Sequence, residues 1–228
     1  MVCDRMIVGF LSVNNMEIKF HGHACFSITD NGTTVVTDPF QEEIGLKLPK
    51  LLADAVTVSH NAAPYNNVDA VEGDPKLFSW PGEYETKGIH FKLIHSFHNQ
   101  KEDKEQLENN VSVINWSNIR FCHLGSQGTK LTPEQLEQVG EVDILFVPVG
   151  GKDCLEPKKA KEIIEQIEPR IVIPMCYDTE GSKLGLSSLE SFLQVMGSKA
   201  EEGVDEFKVK RSDLPEDNSR LVVLNISA

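Results

Sequence analysis

From Met16 onward the chain reads as short alternating or wholly apolar runs separated by turn residues. MEIKF, ACFSIT and TTVVTD predict three strands, and DAVTVS, KLFSW, GIHFKLIHSF, NVSVINW and NIRFCHL predict five more. Asn31-Gly32, between the second and third runs, predicts a tight hairpin because both residues tolerate positive φ. Asn118 predicts a second hairpin, where NVSVINW turns back into NIRFCHL.

Beyond residue 130 the period changes. Thr132-Pro133-Glu134-Gln135 predicts a helix start, with Thr132 as N-cap, Pro133 in the first helical position and Gln135 closing a capping box. That helix should end near Gly140. DILFVPVGG then predicts a buried strand and a glycine turn. A helix over about 156–167 places Ala160, Ile163, Ile164 and Ile167 on one stripe, and Pro169 stops it. RIVIPM predicts a strand, LSSLESFLQVM a helix, and FKVKR and RLVVLNI closing strands. Strands first, then αβ units with no boundary between them, predict two packed sheets in one αβ domain over 16–228. Residues 1–15 suggest an arm or an extra edge strand. The charged stretch QKEDKEQLENN, residues 100–110, has no period and predicts an exposed loop.

Composition narrows the function classes. The 228 residues are 40% hydrophobic and 25% charged, ordinary for a globular protein, but the net charge is −13. So acidic a surface repels phosphate backbones, and the densest lysines, in EPKKAKEIIEQIEP, alternate with glutamates, so no nucleic-acid partner is expected. No apolar run is long enough to cross a bilayer, and MVCDRMIVGFLSVNN lacks a small-residue cleavage signature. Five cysteines (Cys3, Cys25, Cys122, Cys154, Cys176), odd in number and without a C-x-x-C pair, predict reduced thiols in a cytoplasmic setting. Cys25 and Cys122, in apolar runs, read as core filler, and Trp80 and Trp116, at strand ends, as packing residues.

The seven histidines, His21, His23, His60, His90, His95, His98 and His123, fall mostly at the ends of predicted strands, where a rim site would be built. Four stretches group with them: HGHACF with TDPF, SHNAAPYNN, HSFHNQ with HLGSQG, and PMCYDTEG. Asp38, before Pro39, reads as a loop brace that accepts backbone N–H bonds. Gly150-Gly151 makes a turn rather than a phosphate cradle, because no helix opens directly behind it.

In order, GHACF, TDPF, SH, PGEYETKGI, HLG, VDILFVPVGG and IEPRIVIPM resemble the metallo-β-lactamase-fold hydrolases, in particular the lactonase-like branch with many uncharacterised bacterial members. The resemblance runs from about Met16 to at least Tyr177. It implies a four-layer αββα sandwich with one or two metals at the sheet edge. The family's His-x-His-x-Asp-His loop begins here at His60; its second histidine falls on Ala62, its aspartate on Pro64 and its third histidine on Tyr65. The next family histidine is matched by His98. The bridging aspartate falls on Ser126, and the last histidine is replaced by Cys176. His23 and Glu83 lie in stretches shared with the branch and read as pocket residues, or else His23 bonds backbone and Glu83 caps a turn.

The resemblance therefore implies His60, His98 and Cys176 as the remaining metal ligands, with His23, Tyr65, His123 and Ser126 as pocket candidates. Catalytic zinc keeps three protein ligands and a water, so this donor set implies either no metal or one weakly held divalent cation, zinc first. Three readings follow. The chain is a hydrolase-like protein with a degenerate dinuclear centre that binds a small molecule or small anion. It is an active hydrolase with a remodelled mononuclear site. Or Cys176 is a metal-free nucleophile with His123 or His98 as base.

Overall fold

The computed structural model describes residues 15–98, 107–152, 154–198 and 202–227. Almost all of the segment expected to form an N-terminal arm, and most of the expected charged loop, lie outside these residues. The first half of the chain forms β1 (Met16–Gly22), β2 (Cys25–Asp30), β3 (Thr33–Thr37), β4 (Leu51–Leu52), β5 (Ala55–Thr57), β6 (Val71–Glu72) and β7 (Lys76–Phe78). Then follow β8 (Gly82–Thr86), β9 (Ile89–Phe97), β10 (Glu108–Trp116), β11 (Ile119–His123), β12 (Ile144–Pro148), β13 (Ile171–Met175), β14 (Phe207–Val209) and β15 (Arg220–Leu221). Among the described residues three α-helices, α1 (Pro133–Val139), α2 (Pro157–Ile167) and α3 (Leu189–Met196), separate the later strands.

Two mixed sheets result, in the orders β14-β1-β2-β3-β5-β7 and β15-β13-β12-β11-β10-β9-β8, with β4 and β6 pairing as a small ribbon. The alternation in the first sheet explains why it packs on both faces. Met16, Ile18, Phe20, Phe26, Ile28, Val35 and Ala55 join the main core, whereas Cys25, Val36 and Val56, one residue out of phase, form a second cluster with Phe40, Ile44, Leu46 and Val71. That outer cluster lies under a 3-10 turn, Glu42–Ile44, and the β4–β6 ribbon. In the second sheet β12 and β13 are buried throughout, as parallel strands covered on both sides must be. The α2 stripe Ala160, Ile163, Ile164 and Ile167 enters the main core.

Local chemistry set several boundaries. Asn31 and Gly32 have φ of 49° and 77°, the left-handed pair a two-residue hairpin requires, and Ser117 and Asn118 repeat it between β10 and β11. The Thr132–Gln135 capping box is formed, and the helix stops at Gly140. α3 is shorter than its apolar stretch, starting at Leu189 behind Ser188. The expected loop over 100–110 ends earlier than its charge pattern suggests. Glu108, Asn109 and Asn110 already belong to β10: Asn109 buries its amide in bonds to β9 and the loop after β11, and Asn110 reaches the Ser79 carbonyl of the other sheet. RLVVLNI forms only the two-residue β15, with isolated bridges beyond it.

Candidate functional site

Strand direction explains why the chemistry gathers on one rim. β1, β3, β5, β9, β11, β12 and β13 all run the same way within their sheets, so their C-terminal ends share an edge. His23 follows β1, Asp38 follows β3, His60 follows β5, His98 follows β9, Ser126 follows β11 and Cys176 follows β13. Asn110 ties the two edges: its N–H donates to the Ser59 carbonyl at 2.8 Å and its Nδ2 to the Ser79 carbonyl at 3.0 Å. Gly125 packs directly against Ser59 of the other edge. Its φ is +59°, and a Cβ there would come within 2.6 Å of Ser59 Oγ and 2.7 Å of Asn109 Oδ1, so only glycine fits.

Asp38 is the brace expected from the sequence. Ser59 donates to its carboxylate twice, from the backbone N–H and from Oγ, each at 2.7 Å. Burial nevertheless pushes its pKa up to about 7, against the pull of the Ser59 bonds. His123 Nδ1 lies 3.8 Å from Asp38, yet the two form no ion pair near neutrality, because burial lowers the imidazole to about 4. Its hydrogen bonds agree. Nε2 donates to the Ala24 carbonyl at 2.9 Å, and Nδ1 accepts the Gly125 N–H at 3.1 Å, which fixes a neutral tautomer. His123 is therefore a structural pin away from the cavity lining, not the pocket residue its position after a strand suggested.

A cavity of about 170 Å³ opens at the rim between His23, His60, Tyr65 and His98, with Ala62, Pro64, Cys154 and two leucines completing its wall. The His60 and His98 rings stack 4.9 Å apart and 14° from parallel. Each turns Nδ1 to a backbone carbonyl, His60 to Glu108 at 2.7 Å and His98 to Ser126 at 2.8 Å. His98 Nδ1 also contacts the Ser126 hydroxyl. His23 sits beside Tyr65 with ring centroids 4.8 Å apart. It is buried, and neither of its ring nitrogens has a hydrogen-bond partner, contrary to the alternative that it bonds backbone. Burial and the neighbouring imidazoles of His123 and His98 lower its pKa to about 3.

Tyr65 occupies the centre of this arrangement. Its phenol is set against the side chains of Ser126 and Cys176, and burial raises its pKa well above the usual phenol value. Cys176 is wholly buried, and the free thiol of Cys154 donates to its backbone carbonyl at 3.9 Å; burial holds the Cys176 thiol protonated, the reverse of an activated thiolate. The structure thus brings His60 and His98 together at the cavity and places Cys176 behind Tyr65. Among the described residues, no three His, Cys, Asp or Glu side chains converge closely enough to hold an ion. The His23, His60 and His98 imidazoles that line the cavity do not converge on one point, and the methyl group of Ala62, the pyrrolidine of Pro64 and the phenol of Tyr65 add no charged donor, so the residues do not fit a catalytic zinc, which takes three donors and a water.

Other expectations are corrected. Glu83 lies on the edge strand β8, largely exposed, with its carboxylate 3.6 Å from Lys92, so it neither lines the cavity nor caps a turn. Trp116 packs as expected, but Trp80 is 72% exposed. Sequence reasoning missed Asn109, whose Oδ1 accepts the Ser126 N–H at 2.8 Å while its Nδ2 faces Ser96 Oγ, the Leu124 carbonyl and Gln127 Oε1. A wholly buried asparagine with four partners fixes the Ser126 loop; its only sequence signal was a polar pair directly before an apolar run.

The sequence signature of the β-lactamase superfamily domain matches residues 17–176. A UPF0173 metal-dependent hydrolase of Thermococcus onnurineus is 25% identical over 214 residues, covering 82% of this chain and 94% of that protein. A UPF0173 protein of Pyrococcus furiosus is 27% identical over 187 residues, covering 72% and 84%. The crystal structure of a proposed zinc-dependent hydrolase of the metallo-β-lactamase superfamily from Thermotoga maritima superposes with a TM-score of 0.76 at 34% identity, covering 92% of this chain and 98% of that one. With its two-sheet sandwich, its rim of strand ends and this match over most of its length, the chain belongs to the β-lactamase superfamily domain family and has the metallo-β-lactamase fold.

Proposed function

We propose that this protein has kept the hydrolase scaffold of its family but has a degenerate metal centre, and that it binds a small molecule at the rim. The observation that carries the reading is Tyr65. It stands where the resemblance places a ligand histidine, and its phenol is set against the side chains of Ser126 and Cys176, the residues at two further ligand positions. A phenol packed against a hydroxyl and a thiol fills that side of the site with neutral groups, with no charge to attract a cation. His23 supports binding rather than simple loss of function, because a buried imidazole with no partner is costly unless something else bonds it. A small polar molecule or anion in the 170 Å³ cavity would meet His23, His60 and His98 together. The four described cysteines are free and buried, in keeping with a reducing, cytoplasmic setting, and no described helix is long and apolar enough to cross a membrane.

One observation favours a second reading. Ligating histidines usually donate one ring N–H to a carbonyl and bind metal through the other nitrogen, and His60 and His98 both show that first half. A single zinc between them is the alternative. Titrating the purified protein with zinc against a chelating indicator dye separates the two. The degenerate-centre reading expects no stoichiometric uptake. One equivalent taken up, and lost in both His60→Ala and His98→Ala, would replace it with the mononuclear site.

A further inference from the structure

A second concavity, about 600 Å³, adjoins the first and shares His60 with it. Its apolar wall is Trp80, Leu77, Val68 and Leu107, and its polar edge includes Asn66 and Glu108. The size suits a drug-sized molecule rather than a solvent cluster. We propose that this groove binds an uncharged aromatic molecule carrying a hydrogen-bond donor, stacked on Trp80 with one end directed toward His60.

Four observations select that chemistry. Trp80 is 72% exposed and Leu77 48%, an apolar pair that a soluble surface normally covers. The indole is nonetheless carried on fixed backbone. Tyr84 donates its hydroxyl to the Trp80 carbonyl at 2.9 Å, and Asn110 Nδ2 donates to the carbonyl of neighbouring Ser79 at 3.0 Å. A flat ring on a braced strand end is prepared for stacking at little entropic cost. Asn66 supplies the polar requirement. Its Nδ2 donates to Asn61 Oδ1 at 2.9 Å, and its Oδ1 is buried without a partner. A lone acceptor calls for a donor on the ligand. Charge sets the last limit: among the described lining residues Glu108 is the one carboxylate and none is a lysine or arginine, on a chain of net charge −13. An anionic ligand finds no counter-ion among these described residues.

This deepens the small-molecule reading and rests on it only for the end near His60. The groove itself can be tested without reference to metal. The probes are N-phenyl-1-naphthylamine, uncharged with one N–H donor, and 1-anilinonaphthalene-8-sulfonate, the same ring system bearing a sulfonate. The protein is full-length chain with Trp116→Phe, so that Trp80 alone donates energy to the bound dye. We expect saturable binding of the uncharged dye with energy transfer from Trp80, at least tenfold weaker binding of the sulfonate at low salt, and at least tenfold loss of uncharged-dye binding in Trp80→Ala and in Leu77→Ser. No saturable binding, equal binding of the two dyes, or binding unchanged in both variants would overturn the proposal. So would sedimentation showing a dimer that Trp80→Ala dissociates, since the groove's occupant would then be a second copy. A zinc equivalent found in the titration above would leave these results untouched.

Discussion

Replacing His23 with leucine isolates the cost of one buried imidazole. Neither ring nitrogen is bonded, and burial takes its pKa from the ordinary 6.5 down to about 3. The unfolded chain therefore binds a proton at this ring as pH falls below about 6.5, while the folded chain does not until about 3. A lowered folded-state pKa gives stability that is complete above 6.5 and lost as pH falls toward 3. Between pH 8 and pH 5 the unfolded state gains about a thirtyfold advantage, or about 2 kcal/mol. His21 and His123, both lowered to about 4 by burial, act in the same direction. Asp38, raised to about 7, acts in the opposite one, favouring the folded state as pH falls through 7. Urea unfolding at the two pH values reads the His23 share as a difference between proteins. The stability lost from pH 8 to pH 5 should be smaller by about 2 kcal/mol in His23→Leu than in the parent. The left-handed backbone at residue 23, φ 53°, penalises leucine equally at both pH values and cancels. An unchanged pH dependence would show that the folded protein protonates or otherwise engages this ring, and the account of an unpartnered imidazole would be wrong.

Gly125→Ala should destabilise by about 2–4 kcal/mol, from left-handed strain plus the clash with Ser59, read as a lower urea midpoint at unchanged slope. A loss under about 1 kcal/mol would mean that the two rims do not touch there. Cys25, Cys122, Cys154 and Cys176 are buried, and burial raises three of them, Cys122 to about 12. In native protein at pH 8 an aromatic disulfide reagent should label these four at the rate of unfolding, and in denaturant at once; rapid native labelling of Cys176 would revive it as a nucleophile.

Patterns that depend on a few neighbouring residues were legible. The Asn31-Gly32 turn, the Thr132 capping box and the α2 stripe each state their requirement within a dozen residues, and each forms as expected. The collection of chemistry on one rim was legible too, since strand ends announce themselves through Gly, Pro and Asn. What each rim residue does there was not legible, because that depends on partners far away in sequence. His123 and His23 look alike as histidines beside strand ends. One is pinned by Ala24 and Gly125, while the other faces a cavity with no partner. Glu83 and Trp80 sit in one short stretch, yet strand alternation and an edge position turn the carboxylate outward, and a braced carbonyl fixes the indole over a groove. Asn109 reads as loop because its polarity is spent on the buried Ser126 loop rather than on solvent, whereas Asn110, which opens the NVSVINW run, spends its amide across the sheets.

The central claim is that this rim lacks the donors to keep a transition metal. Elemental analysis tests it most directly, on protein purified without chelator from cells grown with added zinc, manganese and iron. The account predicts far less than one equivalent of any of these metals per chain. One or two equivalents surviving gel filtration would contradict it.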